Sequence, residues 1–258
     1  EDDWEAVHVA AWLHDCGKIT TPEYIFDKAT KLETIYDRIH EVRMRFEVLK
    51  RDAEIASLKA IAAGHDADAE HARFANQLRQ IDADFSFVAS CNIGGESMST
   101  EKIERLKAIA TQTWVRTLDD RIGIAHEEKT RKEGTPAPTL PTSESLLADK
   151  AEHCVERRAQ DRIADDNPLG FRMDVPPLQS NKGELYNLSI TRGTLTTEER
   201  YKINEHIVQT LVMLAQLPFP KHLRKVPEMV GGHHEKMDGT GYPKRLTHDD
   251  MSPMARMM

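Results

Sequence analysis

Twelve histidines are spread over 258 residues, and two of them stand side by side. His233 and His234 open the string His233-His234-Glu235-Lys236-Met237-Asp238-Gly239-Thr240-Gly241-Tyr242-Pro243. Adjacent imidazoles put two good ligands for first-row transition metals at one corner of the backbone. The Asp, Gly and Pro that follow require the chain to reverse and then stay rigid. A second ligand-type pair lies far upstream, in Leu13-His14-Asp15-Cys16-Gly17-Lys18. There a carboxylate can bridge two cations and a neutral imidazole can bind one. Lys18 adds a positive charge one short step from this pair. Either pair alone is also compatible with an ordinary surface position. Together they make a metal role worth pursuing, and no Ser-His-Asp or Cys-His arrangement competes with them.

The elements that must position these groups are helical. Trp4, Val7, Ala10, Ala11 and Leu13 recur at helical spacing, so residues 4–13 read as the end of a buried helix that Gly17 terminates. Neighbouring residues on a helix point about a hundred degrees apart, so His14 and Asp15 can serve one centre only near a helix end. Farther on, Thr196 fits an N-cap, with Glu199 three residues later closing a capping box. Tyr201, Ile203, Ile207, Val208, Leu211 and Leu214 form the buried side of the helix that follows, with His206 on it. Leu217-Pro218-Phe219-Pro220 closes this helix, and Val226–Gly232 begins another that runs into His233.

These strings, with Arg192-Gly193-Thr194-Leu195-Thr196 leading to His206 eleven residues after Leu195, resemble the HD-GYP family, a bacterial branch of the HD-superfamily metal-dependent phosphohydrolases. The resemblance covers about residues 4–28 and 190–256. It implies an all-α, HD-type helical bundle. It implies metal ligation by His14, Asp15, His206, His233 and His234, with Asp15 bridging and Lys18 near the substrate phosphate. Asp238, Gly239, Gly241, Tyr242 and Pro243 would form the loop over the site. The cofactor would be two divalent ions, three if an upstream glutamate contributes. Iron or manganese is favoured, and zinc also suits the set. The implied reaction is hydrolysis of cyclic di-GMP, by attack of a metal-bridging hydroxide on phosphorus. A different cyclic dinucleotide as substrate, and an inactive signalling module acting through partners, are the alternatives. The family's first histidine ligand would precede Glu1, and a downstream ligand aspartate would follow Met258. Glu1 is not a start methionine, and the expectation is a piece of a longer protein with membrane or sensor segments elsewhere.

Between the two matching stretches, the family pattern stops. Ile35, Ile39, Val42, Phe46, Leu49, Ala53, Ala56, Ala60 and Ala63 alternate spacings of four and three, a heptad stripe that Gly64 ends. Phe74, Leu78, Ile81, Phe85 and Val88 repeat the spacing. Ser99 or Thr100 then caps a third helix with Ile103, Leu106, Ala110, Trp114 and Leu118 along one face. The reading is a split core (residues 1–28 and 190–258) around an antiparallel helical or coiled-coil insertion (29–164). A Pro-rich linker lies near 134–141, a short helix over 146–163, and an irregular connection over 165–189. A homodimer contact and a signalling partner both suit the insertion. His8, His40, His65, His71, His126 and His153 are expected to be ordinary exposed histidines.

Composition narrows the rest. Net charge is −8, so a duplex nucleic acid is not an expected partner, because phosphate contacts need a basic surface. Three cysteines without metal-type spacing fit a reducing cytoplasm. No stretch has the length of a membrane-spanning helix.

Overall fold

The computed structural model describes residues 2–164 and 166–257. Glu1, Met258 and Asp165 of the turn before Asn167 lie outside the described residues. In chain order the helices are α1 (Asp2–Leu13), α2 (Glu23–Phe26), α3 (Ile39–Ala62), α4 (Ala67–Asn92), α5 (Thr100–Ala110) and α6 (His126–Glu133). After them come α7 (Glu184–Leu188), α8 (Thr197–Asn204), α9 (His206–Ala215), α10 (Val226–Gly232) and α11 (Pro253–Met257). Among the described residues strand is confined to four short segments, of which β1 (Thr113–Arg116) and β2 (Thr142–Ser145) matter below. The architecture is helical, as the composition and periodicity predict. No helix among the described residues is long and apolar enough to cross a membrane.

The chain divides into two compact units. One comprises residues 1–27, 156–179 and 197–258. Its core gathers Ala6 and Ala10 of α1, Ile207, Val208, Leu211 and Leu214 of α9, and Val226, Met229 and Val230 of α10, closed by Phe171. The buried face of α1 runs through alanines, and Trp4 and Trp12 are 77% exposed. The expectation of a buried Trp4 is therefore corrected. α1 packs on α10 through the small side chains of Ala6 and Ala10, which allow close approach, and Trp4 stays outside that contact.

The other unit comprises residues 28–155 and 180–196. α3 and α4 form an antiparallel hairpin, with Phe46 against Phe85 and Lys50 paired to Asp82. The turn between them uses Gly64 at φ +93°, and Asp66 caps α4 by accepting from the Ala69 amide. The buried stripe is Ile39, Val42, Phe46, Ala53 and Ser57, answered by Ile81, Val88 and Cys91. Ile35 precedes the helix and is exposed.

Two further expectations are corrected here. α5 stops at Ala110, and Trp114 belongs to β1, which pairs antiparallel with β2 in the register Trp114↔Glu144. Helical spacing runs on through Trp114, but Thr113-Trp114-Val115 is a β-branched and aromatic run that fits a pleated surface better. Residues 146–163 form short 3-10 turns and extended segments in place of a helix. Leu146 and Leu147 enter the core from the end of β2.

Candidate metal centre

Three elements of the first unit bring the ligand-type side chains together. His14 and Asp15 follow the end of α1, and a 3-10 turn, Cys16–Thr20, carries Lys18. This turn docks on α9. The Gly17 amide donates to Thr210 Oγ1 at 2.8 Å, and a Cβ at Gly17 would stand 2.0 Å from the His206 carbonyl oxygen. Only glycine fits there. α9 starts at His206, itself 2% exposed, and the end of α10 delivers His233 and His234.

One oxygen or nitrogen from each of Asp15, His206, His233 and His234 lies within 4.8 Å of all the others. His206 Nε2 is 3.3 Å from Asp15 Oδ1, and 3.2 Å from His234 Nε2. His14 stands beside this set, with Nε2 3.0 Å from Asp15 Oδ2 and its ring edge-on to His233 at 5.0 Å. Lys18 Nζ donates to the same Oδ2 at 2.7 Å.

The tautomers follow a pattern. His14 Nδ1 meets the Ala11 carbonyl at 2.7 Å, His206 Nδ1 that of Ile203 at 2.6 Å, and His233 Nδ1 that of Val230 at 2.7 Å. Each acceptor is three residues upstream. A carbonyl only accepts, so each Nδ1 carries the proton and each Nε2 presents a lone pair. This is how ligand imidazoles are oriented by a neighbouring acceptor. The His233 Nε2 lone pair is buried and has no hydrogen-bond partner among the described residues. A buried acceptor without a donor is costly, and a cation satisfies it.

The electrostatics agree. Burial, then the proximity of His233 and His206, drives the His234 pKa down to about 4. Burial lowers His233 as well, against the opposing Val230 carbonyl. Both rings are neutral at physiological pH, the form that coordinates a metal. Burial raises the Asp15 carboxyl, but the Lys18 hydrogen bond and the neighbouring His14, Lys18 and His206 outweigh it, leaving the pKa below the ordinary value. The donor set therefore fits a divalent metal in charge, tautomer and convergence.

The loop after His234 is braced from several sides. The Tyr242 ring stacks on His234 at 4.7 Å and 16°, and its hydroxyl donates to Asn204 Oδ1. Asp238 accepts from the Thr240 amide at 2.9 Å, and Gly239 takes φ +76°. A Cβ on Gly241 would fall within 2.6 Å of Glu235 and Lys236 backbone atoms. Pro243 is buried, and its carbonyl accepts from the Arg172 amide. Sequence reasoning missed three supports. Glu235 accepts from the amides of Lys244 and Leu246, Thr210 anchors Gly17, and Asn204 holds Tyr242. Thr210 offered a signal, since it follows His206 by four and so shares its face. Glu235 and Asn204 bond across irregular backbone, where spacing predicts nothing.

Residues 141–258 match the family model described as an HD domain. That span holds His206, His233 and His234, whereas His14, Asp15 and Lys18 lie outside it and join the site through the fold. A curated protein of Vibrio cholerae serotype O1 (strain ATCC 39315 / El Tor Inaba N16961), 3′3′-cGAMP-specific phosphodiesterase 3, is 37% identical over 67 residues. The alignment spans 26% of this chain and 14% of the relative. No solved structure matches the chain.

Proposed function

We propose, from the premise that this chain belongs to the HD superfamily of phosphohydrolases, that it holds the active centre of a metal-dependent phosphodiesterase for cyclic dinucleotides. The convergence of Asp15, His206, His233 and His234, with a buried lone pair on His233 Nε2, carries the reading. These four, with His14 at their edge, are the residues that would hold the metal. When bound, divalent metal supplies Lewis-acid polarisation of the phosphoryl oxygens and of the attacking water. A nitrogen-rich set with one carboxylate favours iron or manganese.

The chain's own residues have distinct tasks in this reading. The i−3 carbonyls hold His14, His206 and His233 in the ligating tautomer. Asp15 supplies the negative charge that balances the cation. Lys18 is 42% exposed in its side chain, so its ammonium can turn from Asp15 to a phosphate oxygen and offset charge there. Tyr242, stacked on His234, and Glu235, bonded to two loop amides, keep the Asp238–Pro243 loop fixed over the site. The same loop presents backbone close to a substrate through Gly239 and Gly241.

Cyclic di-GMP is the substrate that the motif resemblance favours, and 3′,3′-cGAMP the one that the Vibrio relative's name favours. Both share the 3′,5′-phosphodiester this centre would cleave. The test is metal analysis of the chain purified anaerobically and of its longer parent, with chromatography of products from both nucleotides. About two metals per chain with linear dinucleotide product is the expected result. Stoichiometric metal without cleavage of either nucleotide sinks the substrate assignment. Absence of bound metal from both proteins after loading with iron, manganese and zinc sinks the centre itself.

A further inference from the structure

His234 breaks the pattern that aims the other imidazoles of the centre. His14, His206 and His233 each donate from Nδ1 to the carbonyl three residues upstream, at 2.6 to 2.7 Å. Among the described residues the His234 ring has one hydrogen bond, between its Nε2 and His206 Nε2 at 3.2 Å. His206 offers a lone pair there, so the metal-free contact needs the proton on His234 Nε2. His234 cannot ligate through Nε2 while it donates that bond. Hydrogen bonding therefore leaves the ligating orientation of this ring unset, and a ligand that is not held costs metal affinity.

A ring stack supplies what is missing. Tyr242 lies on His234 with centroids 4.7 Å apart and planes at 16°, and the Tyr242 amide donates to the His234 carbonyl at 3.2 Å. Gly241 allows this return of the chain, since a Cβ there would stand 2.3 Å from the Lys236 amide nitrogen. The far end of the Tyr242 ring is held by its hydroxyl, which donates to Asn204 Oδ1 at 3.2 Å. Asn204 ends α8, Glu205 separates the two helices, and His206 opens α9. One short stretch of chain thus carries one ligand directly and reaches a second through Tyr242.

We propose that Asn204 is a positioning residue of the metal centre: it pins the Tyr242 ring, and the stack then does for His234 what the upstream carbonyls do for the other three histidines. Its side chain supplies no donor to the ion and acts through Tyr242 alone. A neutral amide suits the task, because it accepts from the hydroxyl without adding charge beside the ligands. Groups that orient a ligand in this way change metal affinity by about ten- to a hundredfold when they are removed. This role rests on the reading of the site as a metal centre, and it holds for any substrate.

The experiment is titration of Co2+ into the full chain, stripped with EDTA and dialysed, and followed by visible absorption, whose bands report the ligand set. Asn204→Leu should weaken Co2+ binding by roughly tenfold or more and change the band shape, whereas Asn204→Asp keeps the acceptor oxygen and should keep the binding. Tyr242→Phe retains the ring and loses only the hydroxyl, so it repeats the test should urea melts show that Asn204→Leu does not fold. In a His234→Ala background Asn204→Leu should make no further difference, because nothing is left for it to position. Wild-type affinity and spectrum in Asn204→Leu and Tyr242→Phe, or an undiminished loss in the His234→Ala background, overturns the proposal while the centre stands. A wild-type chain that binds no Co2+ overturns the metal centre and this role with it.

Discussion

His233 makes the sharpest demand of any residue in the chain. Its Nδ1 is spent on the Val230 carbonyl, and its Nε2 lone pair faces a buried space with no donor. An unmatched buried acceptor costs about 1–3 kcal/mol, so in the metal-free protein the ring's lost packing and its relieved penalty partly cancel on truncation. His233→Ala should therefore leave the urea stability of the EDTA-treated chain within about 1 kcal/mol of wild type. Metal retained after dialysis should fall to less than half. Asp15→Asn should lose metal too, since it removes the set's one negative charge while keeping its shape. Full metal content in both variants, read by mass spectrometry of the dialysed protein, would remove these residues from the ligand set. Lys18 belongs to the same scale. Lys18→Gln should keep the metal and lower turnover, because it removes charge at the phosphate and no ligand atom.

Placement of these residues is a property of elements, and here the turn Cys16–Thr20 and helix α9 act as one piece. Gly17 has no room for a Cβ against the His206 carbonyl, and that neighbour is backbone that cannot swing aside. Gly17→Ala should cost about 2 kcal/mol or more and loosen metal binding in parallel, because Asp15 moves with the turn. Thr210→Val leaves the Gly17 amide without its acceptor and should cost about 1–3 kcal/mol, while Thr210→Ser restores the bond. Urea melts and metal titrations of the three variants check this, and a stable, metal-tight Gly17→Ala protein would refute it. This scale also shows what the residues made legible. The buried side of α9 and the first half of the α3 stripe, Ile39, Val42, Phe46 and Ala53, follow from helical spacing because local burial dictates them, whereas the expected Ala56 and Ala63 are exposed and Ser57 is buried instead. The end of α5 did not, since Trp114 kept the helical interval while its partner for strand pairing lay at Glu144, thirty residues on. The split of α8 from α9 at Glu205 and the loop supports Glu235 and Asn204 were equally hidden. All depend on partners distant in sequence.

At the scale of the whole chain, acid stability tests whether the histidines are buried neutral as the structure has them. His153, His233 and His234 all have folded pKa values below the ordinary histidine value of about 6.5, and His234 is pushed to about 4. Burial is the leading cause in each. His153 is half-buried, which corrects the expectation of an exposed histidine, and its geometry agrees, because its Nδ1 accepts the Lys150 amide and a proton there would break the bond. The sign follows from linkage: as pH falls below about 6.5 the unfolded chain takes up protons that the folded chain refuses. Stability is then full above that value and is lost as pH falls toward about 4. The lowered carboxylates Asp15, Asp120 and Glu144 add their loss only below the ordinary carboxylate range, so the interval from pH 6.5 to 5 belongs to the histidines. The urea midpoint of the EDTA-treated chain should accordingly fall between pH 7.5 and 5.5, and His153→Gln should flatten part of that slope. The metal-loaded chain should fall more steeply, since protons then compete with a cation for the same lone pairs. A midpoint indifferent to pH in the metal-free chain would mean that these rings are charged or solvated in the native protein, and a metal-loaded slope no steeper than the metal-free one would mean that the imidazoles do not hold the ion.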